Sequence, residues 1–422
     1  MRHDLARARR GGRDRARYGH PRRLTDRASA YDGGIRRLVL PTILAAALVA
    51  AAGARAGPLT IAAYYYPWYS ASGDGWDPGF LRDKLVSPQL PALGEYDSRD
   101  PAVIAQHYAW AHTYGVDAFF CSWAGPGSYT DVTVRDHLVP SPARGPTQVA
   151  LLYESVERLG IGPEARIQLD AAKIARLVSD FDYIARTYFG DPGYYRIDGR
   201  PVVVLYASRI YRGPVAAAIH AIRQSVVAAT GVDPYLIGDE VDWDTSPDPA
   251  RIRLYDAITG YTAYSRTQDA GWPNQTQFLQ AVGRRVAAYH AVAAAEGVAF
   301  VPDALPGFND RGVRLGQDHH VLPRRLGPTA GASSLFTESL DAAGPFVDPS
   351  LGLLTVTSWN EWQEDTQIEP TAPAPPSSGP IALTQGFPYV SYGTTLLEDV
   401  AAFRQRWERQ RRLPVRGAAS SS

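Results

Sequence analysis

Residues 100–123 read DPAVIAQHYAWAHTYGVDAFFCSW, a helix pattern followed directly by a strand pattern. Asp100 is a side-chain cap. Pro101 suits the first helical position, where its missing N–H would have had no partner, and Gly115 supplies the stop. The eight residues that follow, 116–123, are almost continuously apolar. A strand without polar alternation is buried on both faces, the condition of a parallel sheet covered by helices.

The pattern recurs along the chain. Strands are predicted at 59–68, 116–123, 148–154, 201–207, 234–240, 257–264, 299–305 and 353–360. Helical stretches fall between them. Residues 170–188 place Ile174, Leu177, Val178, Phe181 and Ile184 at helical spacing, 214–229 and 276–296 are alanine-rich, and 391–411 makes a closing helix. Eight strands alternating with helices predict an α/β fold, a single (β/α)8 TIM barrel over residues 57–416, with a doubly wound open sheet as the alternative. Residues 371–380 form a proline-rich excursion, and 417–422 a disordered tail.

The 422 residues are 45% hydrophobic, 20% charged and 11% aromatic, a globular composition. The formal charge of zero hides two halves. Residues 1–56 carry 13 Arg against 4 Asp, and the remainder 30 basic against 39 acidic residues. An acidic body argues against nucleic acid, which needs a concentrated positive surface. Within the basic leader, Arg36-Arg37 precede the apolar run Leu38–Ala52 and then Ala54-Arg55-Ala56, the three parts of a signal peptide. The expectation is a secreted or extracytoplasmic protein, cleaved near Ala56-Gly57. An uncleaved anchor is the alternative, although a run this short and broken by Pro41 spans a bilayer poorly. Cys121, the only cysteine, lies in an apolar run and reads as core.

In a barrel the site lies at the carboxyl ends of the strands. Those ends carry Trp68, Tyr69, Trp123, Glu154, Tyr206, Asp239, Glu240, Tyr261, Tyr264, Asp303, Glu361 and Glu364. Carboxylates interleaved with aromatics are the composition of a sugar site, since aromatic faces stack on pyranose C–H surfaces while carboxylates supply acid, base and hydroxyl contacts. The sharpest run is TSWNEWQEDTQIEP, 357–370. Residues three apart on an extended strand point to opposite faces, roughly 10 Å apart. Glu361 and Glu364 therefore share a pocket only if the chain turns directly after Glu361. Otherwise the run is a solvated acidic loop in which Glu364, Asp365 and Glu369 are surface charges. Glu154, ending an apolar strand, either faces the site or pairs with an arginine. Of Tyr64, Tyr65 and Tyr66, at most two point into the pocket. His319-His320 face different ways with no third ligand spaced for zinc, and no P-loop or dinucleotide fingerprint appears, so neither metal nor cofactor is expected.

Taken together these segments resemble glycoside hydrolase family 99, the endo-α-mannosidase family, from about residue 60 to 410. The resemblance is carried by YYYPWY (64–69), PALGEYDSRDPAVIAQH (91–107), GVDAFFCSWAGPGS (115–128), VALLYESVE (149–157), GRPVVVLY (199–206), YDAITGYTAY (255–264), FVPDALPGFNDRGVR (300–314) and SWNEWQEDTQIEP (358–370). It implies a (β/α)8 fold and retaining hydrolysis of an internal α-mannosidic bond, with Glu361 as base toward the sugar's own 2-hydroxyl and Glu364 as acid, through a 1,2-anhydro-sugar intermediate. It also implies that Glu154, Trp123, Tyr261 and Arg314 contact substrate; Tyr65, Tyr66, Trp68, Tyr206 and Trp362 complete the expected substrate-binding set. The chain departs from the family pattern at Gln363 and Asp365, after Arg314 (Leu315-Gly316-Gln317-Asp318) and at Trp68-Tyr69-Ser70-Ala71-Ser72. These departures spare the glutamate pair and bear on which sugar is taken. The expected partner is an oligo- or polysaccharide and the expected state a monomer. A glycan-binding barrel without turnover, and a glycan-processing barrel of polysaccharide biosynthesis, are the other readings.

Overall fold

The computed structural model describes residues 58–412 apart from 74, 78, 244, 262–274, 315–319 and 327–329. The basic leader and the segments expected to form a signal peptide and a tail at 417–422 lie outside the described residues, as do Tyr264, His319 and the four residues after Arg314.

Eight parallel strands alternate with helices in chain order. They are β1 (Thr60–Tyr65), β2 (Ala118–Trp123), β3 (Gln148–Tyr153), β4 (Arg200–Leu205), β5 (Tyr235–Asp239), β6 (Ala257–Thr259), β7 and β8 (Leu353–Val356). β7 comes in two pieces, Ala299–Val301 and Asp303–Ala304, because Pro302 has no N–H to give the ladder. The first piece pairs with β6 and the second with β8, so β7 hands the sheet from one neighbour to the next. β8 pairs in turn with β1, from Thr60↔Leu353 to Ala63↔Val356, and the ring closes. The open-sheet alternative is thereby excluded, since every strand has two parallel neighbours.

The helices that follow the strands are α1 (Pro101–Tyr114), α2 (Tyr129–Thr133), α3 (Ala171–Tyr188), α4 (Val215–Thr230), α5 (Pro249–Ile252), α6 (Gln275–Ala295), α7 (Ser334–Ala343) and α8 (Thr395–Arg412), with short helical turns at Ser155–Leu159 and Ile381–Thr384 besides. α1 is capped as its sequence predicts: Asp100 accepts from the Ala102 N–H at 2.8 Å, and Gly115 takes the left-handed conformation at φ 80°. α8 ties the end of the barrel to its beginning. Arg404 donates to the Leu59 carbonyl at 2.7 Å and pairs with Asp117, which itself accepts the Ile61 N–H.

Strand residues alternate between lumen and helix layer. Phe119 and Trp123 of β2 point outward, Phe119 onto Tyr108 of α1 and Trp123 toward Tyr183 of α3. Ser122 points inward. This alternation decides which side chains reach the site. No helix among the described residues is long and apolar enough to cross a membrane.

Candidate active site

The run after β8 is a loop closed on itself. The strand stops at Val356, four residues short of expectation, and the chain turns at residues 362–365, directly after Glu361, where the Thr366 N–H returns to the Glu361 carbonyl (3.2 Å). Ser358 donates its N–H to the Thr366 carbonyl (2.8 Å), and its hydroxyl accepts the Glu361 N–H (2.8 Å). The Ile368 N–H returns to the Ser358 carbonyl (2.8 Å). Asp365 sits in the left-handed region, φ 52°, where an aspartate is tolerated better than most side chains. Asn360 clamps this loop to the end of β1, accepting the Tyr66 N–H (2.7 Å) and donating to the Tyr66 carbonyl (3.0 Å).

Two acidic residues of the run are anchors and not surface charges. Asp365 is buried between Arg82 (2.7 Å) and Arg324 (3.2 Å). Burial alone would raise its carboxyl, but the two guanidiniums outweigh it and hold it below the ordinary aspartate value. Glu369 is fully buried, accepting from Tyr96 (2.8 Å) and the Trp362 indole (2.7 Å) while its other oxygen meets His107 at 3.0 Å.

Three expected substrate contacts belong to this scaffold. Tyr65 faces the helix layer, its hydroxyl 3.0 Å from His107, because a strand that turns Tyr64 and Tyr66 inward must turn Tyr65 outward. Trp123 is outward for the same reason, fully buried with its indole N–H on Asp131 (2.8 Å). Trp362 is buried against Trp76 and Phe80, and its only polar atom is occupied by Glu369. None of the three faces the glutamate pair.

The remaining residues converge. The charge of Glu364 raises the proton affinity of both Glu361 and Glu154, and Glu154 adds to it at Glu361, placing three carboxylates in one lumen. Tyr66 of the β1 end and Tyr261 of the β6 end share a hydrogen bond between their hydroxyls, and both feel Glu361 and Glu364. Tyr206 packs edge-on against Tyr261 at 5.1 Å. Trp68, half-buried at the rim, lies tilted over Tyr66 at 4.6 Å. Arg314 reaches in from the β7–α7 connection and donates to Glu364 at 2.7 Å and Asp310 at 2.9 Å.

The electrostatics separate the carboxylates. Glu361 is 2% exposed and lifted well above an ordinary glutamate, first by burial and then by the charge of Glu364, with Arg314 acting against both. Burial also pushes Glu154 up to about 8, the Ser122 hydroxyl at 2.7 Å pulling the other way. Glu154 therefore holds its proton at neutral pH, burial biases Glu361 the same way, and Arg314 offers its charge to Glu364. Two neighbouring carboxyls, one buried and one bonded to arginine, beside a ring of tyrosine hydroxyls are suited to moving protons on and off a polyhydroxylated substrate.

Other strand-end carboxylates build the walls. Asp239 accepts the Ala207 N–H (2.9 Å) and the Tyr261 N–H (3.2 Å) and pairs with Arg209, which fixes both tyrosine-bearing turns. Glu240 is held twice by Arg251, each contact 2.9 Å. Asp303 lies deeper, bonded by the Thr355 hydroxyl at 2.8 Å, and burial raises it far above its usual value. Sequence reasoning passed over Ser122, Asn360 and Asp310. Each is an ordinary polar residue whose role depends on a partner at least 32 residues away or on a guanidinium a turn ahead. Among the described residues no group of three or more His, Cys, Asp or Glu side chains is placed to hold a metal ion.

Comparison with known proteins bears on the same residues. The model of glycosyl hydrolase family 99 matches residues 59–378, which includes β1 to β8 and the loop of Glu361 and Glu364. The chain is 24% identical to a glycoprotein endo-α-1,2-mannosidase of Mus musculus over 347 residues, covering 74% of this chain and 68% of the relative. It is 26% identical over 340 residues to an endo-α-1,2-mannosidase-like protein of Danio rerio, covering 74% and 70%. Among solved structures it superposes on an endo-α-mannosidase from Bacteroides thetaiotaomicron with a TM-score of 0.59 at 20% identity, covering 83% of this chain and 98% of the other; at that identity the likeness is one of fold. A barrel whose family match runs from its first strand through the loop of the paired glutamates belongs to glycosyl hydrolase family 99, and the chain is a glycoside hydrolase.

Proposed function

We propose that the protein is an exported endo-acting α-mannosidase, cleaving an α-1,2-linked mannose-containing glycan with retention through a 1,2-anhydro-sugar. The observation that carries the reading is the glutamate pair itself: one buried, proton-holding carboxyl beside a second carboxylate paired with arginine, at the end of β8. Glu361 takes the proton of the 2-hydroxyl as O2 attacks C1 and expels the glycosidic oxygen, to which Glu364 gives its proton. Water then opens the three-membered ring at C1. Glu364 accepts its proton, Glu361 returns the other to O2, and two inversions at C1 amount to retention. This differs from the usual retaining route, in which a carboxylate itself bonds to the sugar carbon. Glu154, Tyr66, Tyr206, Tyr261 and Trp68 bind the sugar, and Arg314 faces the leaving-group side through Glu364.

The mechanism starts with the proton on Glu364, whereas burial favours a proton on Glu361. Both are states of one pair that binds a single proton, so only its position changes when a sugar hydroxyl arrives at Glu361. The relatives named as endo-α-1,2-mannosidases support the substrate class. The basic leader and the apolar run before Gly57 support export.

The test is incubation with a panel of α-mannans, α-1,2-mannosyl oligosaccharides and α-glucans, with products weighed by mass spectrometry and the first-formed anomer read by NMR. Internal release of an α-anomer from α-1,2-mannosides, lost in Glu364→Gln, is the expected result. Sugar binding without any reducing-end release would instead identify a silent glycan-binding barrel, and a β-anomer would exclude the anhydro-sugar route. Amino-terminal sequencing of the mature protein tests export, with Gly57 expected first.

A further inference from the structure

One guanidinium serves two carboxylates at the edge of the site. Arg314 Nη1 alone donates to both Asp310 Oδ2 (2.9 Å) and Glu364 Oε1 (2.7 Å). The acceptors are unequal in exposure: the Asp310 side chain is 1% exposed, that of Glu364 13%. Both are tied to one turn of backbone. The Val313 and Arg314 N–H groups bond to the Asp310 carbonyl at 3.0 and 2.8 Å, and the neighbouring Asn309 N–H holds the Glu364 carbonyl at 2.8 Å. The three charged groups therefore keep their relative places while a proton moves among them.

We propose that Asp310 is a positioning residue for the reaction: it retains the charge of Arg314, whose side chain is 40% exposed, whenever Glu364 carries the proton, so that the guanidinium stays in place at the edge of the site while the proton passes to Glu364. The proposal rests on the acid role given to Glu364 above. An arginine in contact with Glu364 and with no second acceptor would hold it as a carboxylate, since an opposite charge at hydrogen-bond distance favours the ionised form. With Asp310 in place, the guanidinium shifts its weight from one oxygen to another a hydrogen bond away. The groups that face Glu364 are Arg314 and Asp310 from the β7–α7 connection, Glu361 from its own loop and Glu154 from the β3 end. Tyr206 and Tyr261 face it from the β4 and β6 ends, and Tyr66 from β1. Of these, Arg314 is the one cation in contact with it among the described residues, so control over Arg314 is control over where the proton rests.

The test follows the carboxyl titration of the pair directly, in protein labelled with ¹³C at the glutamate side-chain carboxyl, with Glu361→Gln and Glu364→Gln used for assignment. In Asp310→Asn a nearby negative charge is gone and Arg314 leans wholly on Glu364. Release of the last proton from the pair then moves down by about one pH unit, a roughly tenfold loss of proton affinity. Arg314→Gln moves it up, and Asp310→Glu restores the parent curve. In turnover, the basic limb of the kcat profile of Asp310→Asn moves with the titration while KM changes less than about twofold. A merely structural Asp310 would lower thermal stability and leave both curves in place; that result overturns the proposal. If Asp310→Asn does not fold, an unmoved titration in Arg314→Gln overturns it equally. Absence of turnover on every α-mannoside, with the titration shifted as described, refutes the proposed substrate and leaves the clamp standing.

Discussion

Glu154→Gln exchanges a buried carboxyl, 9% exposed, for an amide of the same shape that still accepts the Ser122 hydroxyl. In the folded protein this carboxyl is pushed from an ordinary 4.5 up to about 8, chiefly by burial. Between those values the native state holds a proton that the unfolded chain has released. Stability from this group is thus fully present below about pH 4.5 and is lost as pH rises through about 8. At about 1.36 kcal/mol per pH unit, and allowing for partial titration at both ends, the loss between pH 5 and pH 7.5 comes to about 3 kcal/mol. Glutamine does not titrate and escapes it. For a domain of this length about 3 kcal/mol corresponds to roughly 4 °C in melting temperature. The assay is calorimetric or fluorescence melting of both proteins across pH 5 to 7.5. The gap between mutant and parent should open by about 4 °C toward neutral pH, in the mutant's favour. Parallel melting curves over that range would show that Glu154 is ionised and solvated in the folded protein, and the reading of a proton-holding lumen would fall with it.

The other predictions separate catalytic from scaffold residues. Glu361→Gln and Glu364→Gln should each lower kcat by ~10²–10⁴-fold with an unchanged circular dichroism spectrum, a loss expected when an acid or base is deleted from a folded site. Asp365→Asn removes the counter-charge of two buried arginines and should cost about 3–5 kcal/mol in denaturant unfolding; an effect below about 1 kcal/mol would mean the cluster is solvated. Tyr65→Phe and Tyr66→Phe differ by one atom each on adjacent residues. The first should cost about 1 kcal/mol of stability and leave KM alone, and the second should raise KM, because only Tyr66 reaches the lumen. Equal kinetic effects from the two would contradict the strand facing described for β1.

The barrel was legible because burial on both strand faces writes itself into composition. LLTV, VVVL and AFFC admit few readings other than strands of a covered parallel sheet, and the Asp100-Pro101 cap and Gly115 stop marked α1 to within a residue. Strand ends were drawn too far. The rim residues keep the aromatic and β-branched composition of a strand, yet the chain leaves the ladder at Tyr65, Thr259 and Val356 to build the site. α7 carried no comparable signal: Ser334–Ala343 is short and mixes small polar with apolar residues, and its packing against β7 is a long-range matter, as in the Leu305 N–H bonded to Ser339. Facing was the harder question. Strand alternation states that Tyr64 and Tyr66 share a side but not which side, and only the position of Tyr261 and His107 in space decides it.

The four acids of the run from Glu361 to Glu369 pose that limit most sharply. By composition they are equivalent, and by spacing none is marked. The structure distinguishes them by what each is given. Asp365 receives two guanidiniums, one of them from a residue 283 positions away, and Glu369 receives a histidine 262 positions away, a tyrosine and an indole. Glu361 receives a backbone N–H from its own loop and is otherwise buried beside a like charge. Partners so remote in sequence leave no local trace, so no reading of the run alone could sort anchors from reagents. A carboxylate that the fold satisfies fully has no proton chemistry left to offer, because its ionised form is already the stable one. The carboxylate left short of donors in a buried lumen is the one whose proton remains negotiable, and substrate hydroxyls are what arrive to negotiate it. Asp239 and Glu240 belong to the walls, bonded to Arg209, Arg251 and the backbone of the tyrosine-bearing turns, whereas Glu361, Glu364 and Glu154 act on one another across the lumen and are the residues on which a sugar can act.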